Sequence, residues 1–201
     1  MIEPPEGRLE VTGTVVLVPV KAFSSAKARL SPTLNASDRA DLARHMATRV
    51  IAAAAPLQVA VVCDDSDVAN WARENGAMVL VEPGRGLNGA VEAGVDRLAA
   101  AGAQEVLVVH SDLPQARGLA RLAGFEGVTL VPDRRNDGTN VCGVPAHAGF
   151  RFSYGLGSFA RHRDEAARLR LALRVVHEPS LEWDVDFPSD LPAAVAERLW
   201  E

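Results

Sequence analysis

The strongest constraint on this fold is an alternation. Short β-branched apolar runs recur at 14–20 (TVVLVPV), 59–63, 78–81, 105–110 and 128–132. A run of four to seven such residues marks a strand buried on both faces. Between the runs lie segments of helical period. Residues 37–54 place Leu42, Met46, Val50 and Ala53 on one stripe, with Ser37 as the expected N-cap. Helices are also predicted over 66–75, ending at Gly76, over 88–101, stopped by Gly102, and briefly over 115–123. Strand and helix in this order make βαβ units, which predict an α/β fold with a mostly parallel central sheet flanked by helices.

Beyond residue 132 the rhythm changes. A polar loop, DRRNDGTN, precedes a short strand at 141–145; a helix over about 158–170, a strand at 171–177 and a final helix from Ser189 follow. Residues 1–11 read as a loose lead-in. The 201 residues show no repeat or linker, so one domain is expected. A net charge of −5 argues against a nucleic-acid binder, which normally carries a basic surplus. The apolar runs are too short to span a bilayer, and the acidic N-terminus has no apolar signal core; a cytoplasmic protein is expected. Cys63 and Cys142 lack metal-site spacing and read as apolar side chains.

In such sheets ligands bind beyond the carboxyl ends of the strands. The first strand runs into Lys21, Lys27 and Arg29, three cations within nine residues, placed where a triphosphate needs point charges. Of the 21 basic residues only two are lysines, and both are here. Lysine is a compact point charge and a common phosphate binder, so the placement is suggestive. After the third strand, Gly84-Arg85-Gly86-Leu87-Asn88-Gly89 matches GxGxxG and precedes a helix. A dinucleotide role is discounted, because that fingerprint belongs to the first strand–helix turn. Either Gly86, Leu87 and Asn88 approach a nucleotide base or ribose, or the glycines make a tight turn.

The fourth strand ends in Val109-His110-Ser111-Asp112. An acid there suits Mg²⁺, which takes one or two carboxylates and completes its shell with phosphate oxygens; the alternative is a helix-capping Asp. His110 is expected to pack or hydrogen-bond rather than catalyse. Asp184 and Asp186 stand two apart in WDVDFPSDL and face one way if extended. Like charges so close call for a cation. Asp190 reads as a first-turn helix acid. Thr139 in DGTN, and Gly155 and Ser158 in YGLGSF, could form a second anion site at a helix start, or simple turns. Two anion sites beside a metal site point to the joining of two phosphorylated molecules.

Taken together, PVKAFSSAKARL, GLNGAV, SDLP, NDGTN, YGLGSF with His162, and DVDFPSDL resemble the phosphoenolpyruvate or 2-phospho-L-lactate guanylyltransferases of coenzyme F-420 biosynthesis, the CofC/FbiD family. The resemblance runs from about Val15 to Leu191. It implies a single-domain nucleotidyltransferase fold of the glycosyltransferase-A type. It also implies a reaction in which GTP is coupled to a phosphorylated three-carbon acid with release of pyrophosphate. By the same resemblance, Lys21, Lys27 and Arg29 hold the GTP phosphates, and Asn88, beside Gly86 and Leu87, reads the guanine. Asp112 and Asp186 bind Mg²⁺, with Asp184 as a second candidate, and Thr139, Gly155 and Ser158 take the acceptor. Phosphoenolpyruvate is the favoured acceptor, with 2-phospho-L-lactate and 3-phosphoglycerate as alternatives. More distant alternatives are a molybdenum-cofactor or sugar-phosphate nucleotidyltransferase, or a catalytically silent nucleotide-binding protein. Phe187 stands where the family pattern has Thr.

Overall fold

A computed structural model of the chain describes residues 10–191. Among the described residues seven strands form one sheet: β1 Gly13–Pro19, β2 Gln58–Cys63, β3 Met78–Val81, β4 Ala103–Val109, β5 Val128–Pro132, β6 Thr139–Pro145 and β7 Leu173–Val175. The order across the sheet is β3-β2-β1-β4-β6-β5-β7. All neighbours pair in parallel except β6, which runs antiparallel to both β4 and β5. The α-helices among the described residues are α1 Ala36–Ala53, α2 Ser66–Glu74, α3 Gly86–Ala100, α4 Ser158–Arg168 and the short α5 Pro179–Glu182.

The sheet separates two apolar layers, and strand alternation decides which side chain enters which. Val16, Val18, Val61, Leu107 and Val109 point toward α1 and α2. Val15, Leu17, Val62, Val106 and Val108 point toward α3 and α4. Each such side chain contributes about 1.5–3 kcal/mol relative to exposure. Gly94 lets α3 lie close on β1: a Cβ there would stand 2.9 Å from Leu17 Cδ2. A third cluster, Leu30, Leu34, Leu42, Met46 and Val185, fastens two loops onto α1. Those loops carry the cations after β1 and the acids at 184 and 186.

The five parallel runs fall where predicted, within two residues. Several expected boundaries move. The N-cap of α1 is Asn35, not Ser37; its Oδ1 accepts from Asp38 N–H at 3.0 Å. Helix α3 starts at Gly86, two residues early. The helix expected over 115–123 is only a 3₁₀ turn at Leu119–Leu122, because Gly118 enters it with φ +64°. β6 begins at Thr139, and β7 keeps three residues of the seven expected. At Pro188–Asp190 there is a 3₁₀ turn, and the rest of the predicted final helix lies outside the described residues. Both cysteines are buried thiols. No helix among the described residues is long and apolar enough to cross a membrane.

Candidate active site

The chain moves outward from β1 to β3, then crosses back to lay β4 on the other side of β1. The crevice at such a switch point is where open α/β sheets bind ligands. Here it is a cleft of about 840 Å³. Its walls include Lys21, Lys27 and Arg29 after β1, Leu87 at the start of α3, and Asp112 after β4. Thr139, Gly155, Ser158, Asp184 and Asp186 complete the set. Because β6 is antiparallel, its first residue, Thr139, stands at the same rim as the carboxyl ends of β1 and β4. Ten of the twelve expected site residues therefore line one cavity. Gly86 and Asn88 do not. Asn88 Oδ1 accepts from Tyr154 N–H at 2.7 Å, tying α3 to the loop that carries Gly155.

The cations and acids are directly engaged. Lys27 Nζ lies 2.6 Å from Asp112 Oδ2 and 3.2 Å from Asp186 Oδ1, and Arg29 Nη1 lies 3.2 Å from Asp186 Oδ2. Burial disfavours a charged Lys27, but the two carboxylates outweigh it and raise its pKa. Burial likewise opposes ionisation of Asp112, and Lys27 outweighs it, so that pKa is lowered. Lys27 has a left-handed backbone, φ +52°, which costs a non-glycine residue about 1 kcal/mol. Its ion pairs offset that strain. Lys21 is exposed at the cleft wall and, among the described residues, makes no ion pair.

Asp184 is buried. Burial first, and then the nearby charge of Asp112, push its carboxyl up to about 6. Asp184 Oδ1 and Asp112 Oδ1 are buried without a hydrogen-bond partner. Two unpartnered carboxylate oxygens in one cleft fit a hard divalent cation. Among the described residues no three His, Cys, Asp or Glu side chains already form a metal cage. A Mg²⁺ site completed by substrate phosphates has no need of one.

Sequence reasoning missed what holds these acids in place. Asp190 stands in a first turn, at Pro188–Asp190, but its contacts reach much further than that turn. It is fully buried, and its Oδ2 accepts from the N–H groups of Asp186 and Phe187 at 3.0 and 2.8 Å. Arg134 and Arg135 both donate to its Oδ1. Arg134 also lies over the Trp183 ring at 4.1 Å, and Trp183 Nε1–H donates to Asp190 O. Arg29 and Arg135 flank Phe187 at 5.2 and 5.8 Å from its ring centre. A paired Arg-Arg in the polar loop 133–140 was the available signal. His110 packs on Tyr154 with ring centres 4.8 Å apart, and burial lowers its pKa, as expected of a packing residue.

A cleft at a β1/β4 switch point, with a reversed strand beyond β4, is the architecture of a nucleotidyltransferase of the glycosyltransferase-A type. The fold is shared with 4-diphosphocytidyl-2C-methyl-D-erythritol synthase at a TM-score of 0.61 and 12% identity, covering 95% of this chain and 99% of that one. It is shared also with a candidate nucleotide-diphospho-sugar transferase from Desulfovibrio desulfuricans G20 at a TM-score of 0.73 and 16% identity, covering 88% and 84%. Within that class, the chain belongs to the guanylyl transferase CofC-like family, whose model matches residues 14–196. Similar relatives include the phosphoenolpyruvate guanylyltransferases of Sphaerobacter thermophilus and Rubrobacter xylanophilus. The first is 34% identical, over 89% of this chain and 90% of that protein, and the second 38%, over 87% and 90%. The 2-phospho-L-lactate guanylyltransferase of Methanothermobacter thermautotrophicus is 34% identical, over 89% and 82%.

Proposed function

We propose that this protein transfers the guanylyl group of GTP to the phosphate of phosphoenolpyruvate, releasing pyrophosphate, in the branch leading to coenzyme F-420. One observation carries the reading. A group of cations (Lys21, Lys27, Arg29) and a group of polar residues (Thr139, Gly155, Ser158) line the same cleft, together with Asp112, Asp184 and Asp186. That arrangement suits two phosphorylated molecules placed end to end.

An oxygen of the acceptor phosphate attacks the α-phosphorus of GTP in line. The new O–P bond forms as the bond to the β-phosphate oxygen breaks, and the electron pair leaves with pyrophosphate. The attacking oxygen is anionic near neutral pH, so no general base is required. Catalysis then rests on positioning and charge neutralisation. Lys21 faces the triphosphate as a free point charge, Arg29 flanks it, and Leu87 presents an apolar wall to the nucleoside, with Gly86 and Asn88 shaping the turn behind it. Asp112 and Asp184, with Asp186, would hold Mg²⁺, which when bound offsets the negative charge of the phosphates. Thr139, Ser158 and the backbone at Gly155 take the acceptor's oxyanions. Gly155 has φ +117° and Gly157 φ +70°, so the loop between them needs glycine at both positions.

The test is pyrophosphate release from GTP and Mg²⁺ with phosphoenolpyruvate, 2-phospho-L-lactate, 3-phosphoglycerate and a sugar phosphate in parallel. Turnover with phosphoenolpyruvate first among them is expected. A preference for the lactate ester would move the assignment to the second acceptor, which the Methanothermobacter relative favours. Release only with the sugar phosphate would overturn it. Lys21→Arg keeps the charge but replaces a compact ammonium by a wide fork. We expect kcat to fall about tenfold or more with the fold unaltered. Unchanged turnover would remove Lys21 from the phosphate site.

A further inference from the structure

His162 lies on α4 and is completely buried. Its two ring partners settle which nitrogen carries the hydrogen. The backbone N–H of Ser153 donates to Nε2 at 3.0 Å. An amide N–H can only donate, so Nε2 presents a lone pair. Nδ1 stands 3.0 Å from Thr139 Oγ1. In a neutral ring the remaining nitrogen bears the hydrogen, so Nδ1–H donates to the Thr139 hydroxyl. Burial keeps the ring neutral, lowering its pKa to about 4.

The consequence falls on Thr139. A hydroxyl has two lone pairs and one hydrogen. His162 engages one lone pair, and Ser158 Oγ, at 3.5 Å, approaches the other. Neither contact uses the hydroxyl hydrogen, which is free to turn toward the cleft that Thr139 and Ser158 wall. A donor fixed in this direction favours an oxyanion over a ligand group that itself donates.

We propose that His162 is a positioning residue that locks the Thr139 hydroxyl as a hydrogen-bond donor toward the carboxylate or phosphate oxygen of the acceptor. This rests on the reading of the cleft given above. Ser153 belongs to the same loop as Gly155, so one imidazole fixes both the loop and the direction of the hydroxyl.

Two substitutions separate those roles. His162→Gln can place a carbonyl near Nε2, which keeps the Ser153 bond and deletes the donor to Thr139. His162→Asn can place an amide N–H near Nδ1, which keeps that donor. We expect His162→Gln to raise the acceptor KM about tenfold, the worth of one hydrogen bond to a charged group, with the GTP KM and thermal midpoint unchanged. His162→Asn should return the acceptor KM to within about threefold of the starting enzyme. In a Thr139→Val background His162→Gln should add nothing, because the effect travels through that hydroxyl. Equal losses in the two variants, or additive effects with Thr139→Val, would overturn the proposal. Nitrogen-15 NMR of the unmodified enzyme supplies a readout that no variant has to survive. His162 should show hydrogen on Nδ1. Turnover together with hydrogen on Nε2 would overturn the positioning role alone. Absence of turnover on every phosphorylated acid would overturn the reading of the cleft and this proposal with it.

Discussion

Asp112→Asn should lower kcat at saturating GTP by about a thousandfold while leaving the fold intact, which is the scale lost when charge stabilisation at a developing oxyanion is removed. The substitution keeps size and shape and removes one negative charge. Lys27 retains Asp186 at 3.2 Å, so the ammonium is not stranded. Asp112 O still accepts from Val185 N–H, so the loop carrying Asp184 and Asp186 stays attached. What disappears is a carboxylate with a buried, unpartnered oxygen. Pyrophosphate release across a Mg²⁺ titration checks this. The half-saturating Mg²⁺ concentration should rise as well as the rate falling, and activity within threefold of the unmodified enzyme would remove Asp112 from the machinery.

Asp190→Ala should be the most destabilising of the single changes considered, by about 3 kcal/mol. It strips the acceptor from two backbone N–H groups and leaves Arg134 and Arg135 without their shared carboxylate. A chain of this size loses about 2–4 °C of Tm per kcal/mol, so the midpoint should drop by about 10 °C. Activity should fall further than stability accounts for, because the loop bearing Asp184 and Asp186 loses its internal brace. Burial opposes ionisation of Asp190, but the two N–H groups and Arg134 outweigh it and lower its pKa. The sign follows. This contribution is complete above the ordinary carboxylate pKa of about 4 and is lost as acidification passes through the lower folded value. Thermal midpoints of both proteins between pH 3 and 7 test it; curves that stay parallel and coincident would show that Asp190 braces nothing.

Much of the fold could be read directly because strands buried on both faces have no polar alternation to blur them. Val15 to Val18 and Val106 to Val109 could sit nowhere but in the centre of a sheet. The reversal of β6 could not be read, since direction within a sheet depends on neighbours far away in sequence. The cation loop and the acids were legible as types of residue in suggestive places. Their pairing was not: Lys27 reads as a phosphate ligand in isolation, and only the fold brings Asp112 and Asp186 to it. Asp190 shows the same limit more sharply. Beside Pro188 and Ser189 it resembles the opening of a helix, whereas its arginine partners are 55 and 56 residues away. The partner of Asn88 Oδ1, Tyr154 N–H, is likewise 66 residues distant. Local patterns report chemistry that is available; long-range contacts decide how much of it is already in use.

The bond from Lys27 to Asp186 spans 159 residues. During synthesis the donor half of the cleft therefore leaves the ribosome long before its opposite wall. The β5–β6 pair can close over a short loop, but the cation loop, answered first by Asp112, must wait for Asp186 to complete its ion pairs. The site is in that sense a clasp between two distant segments, fastened only once residue 186 has been made.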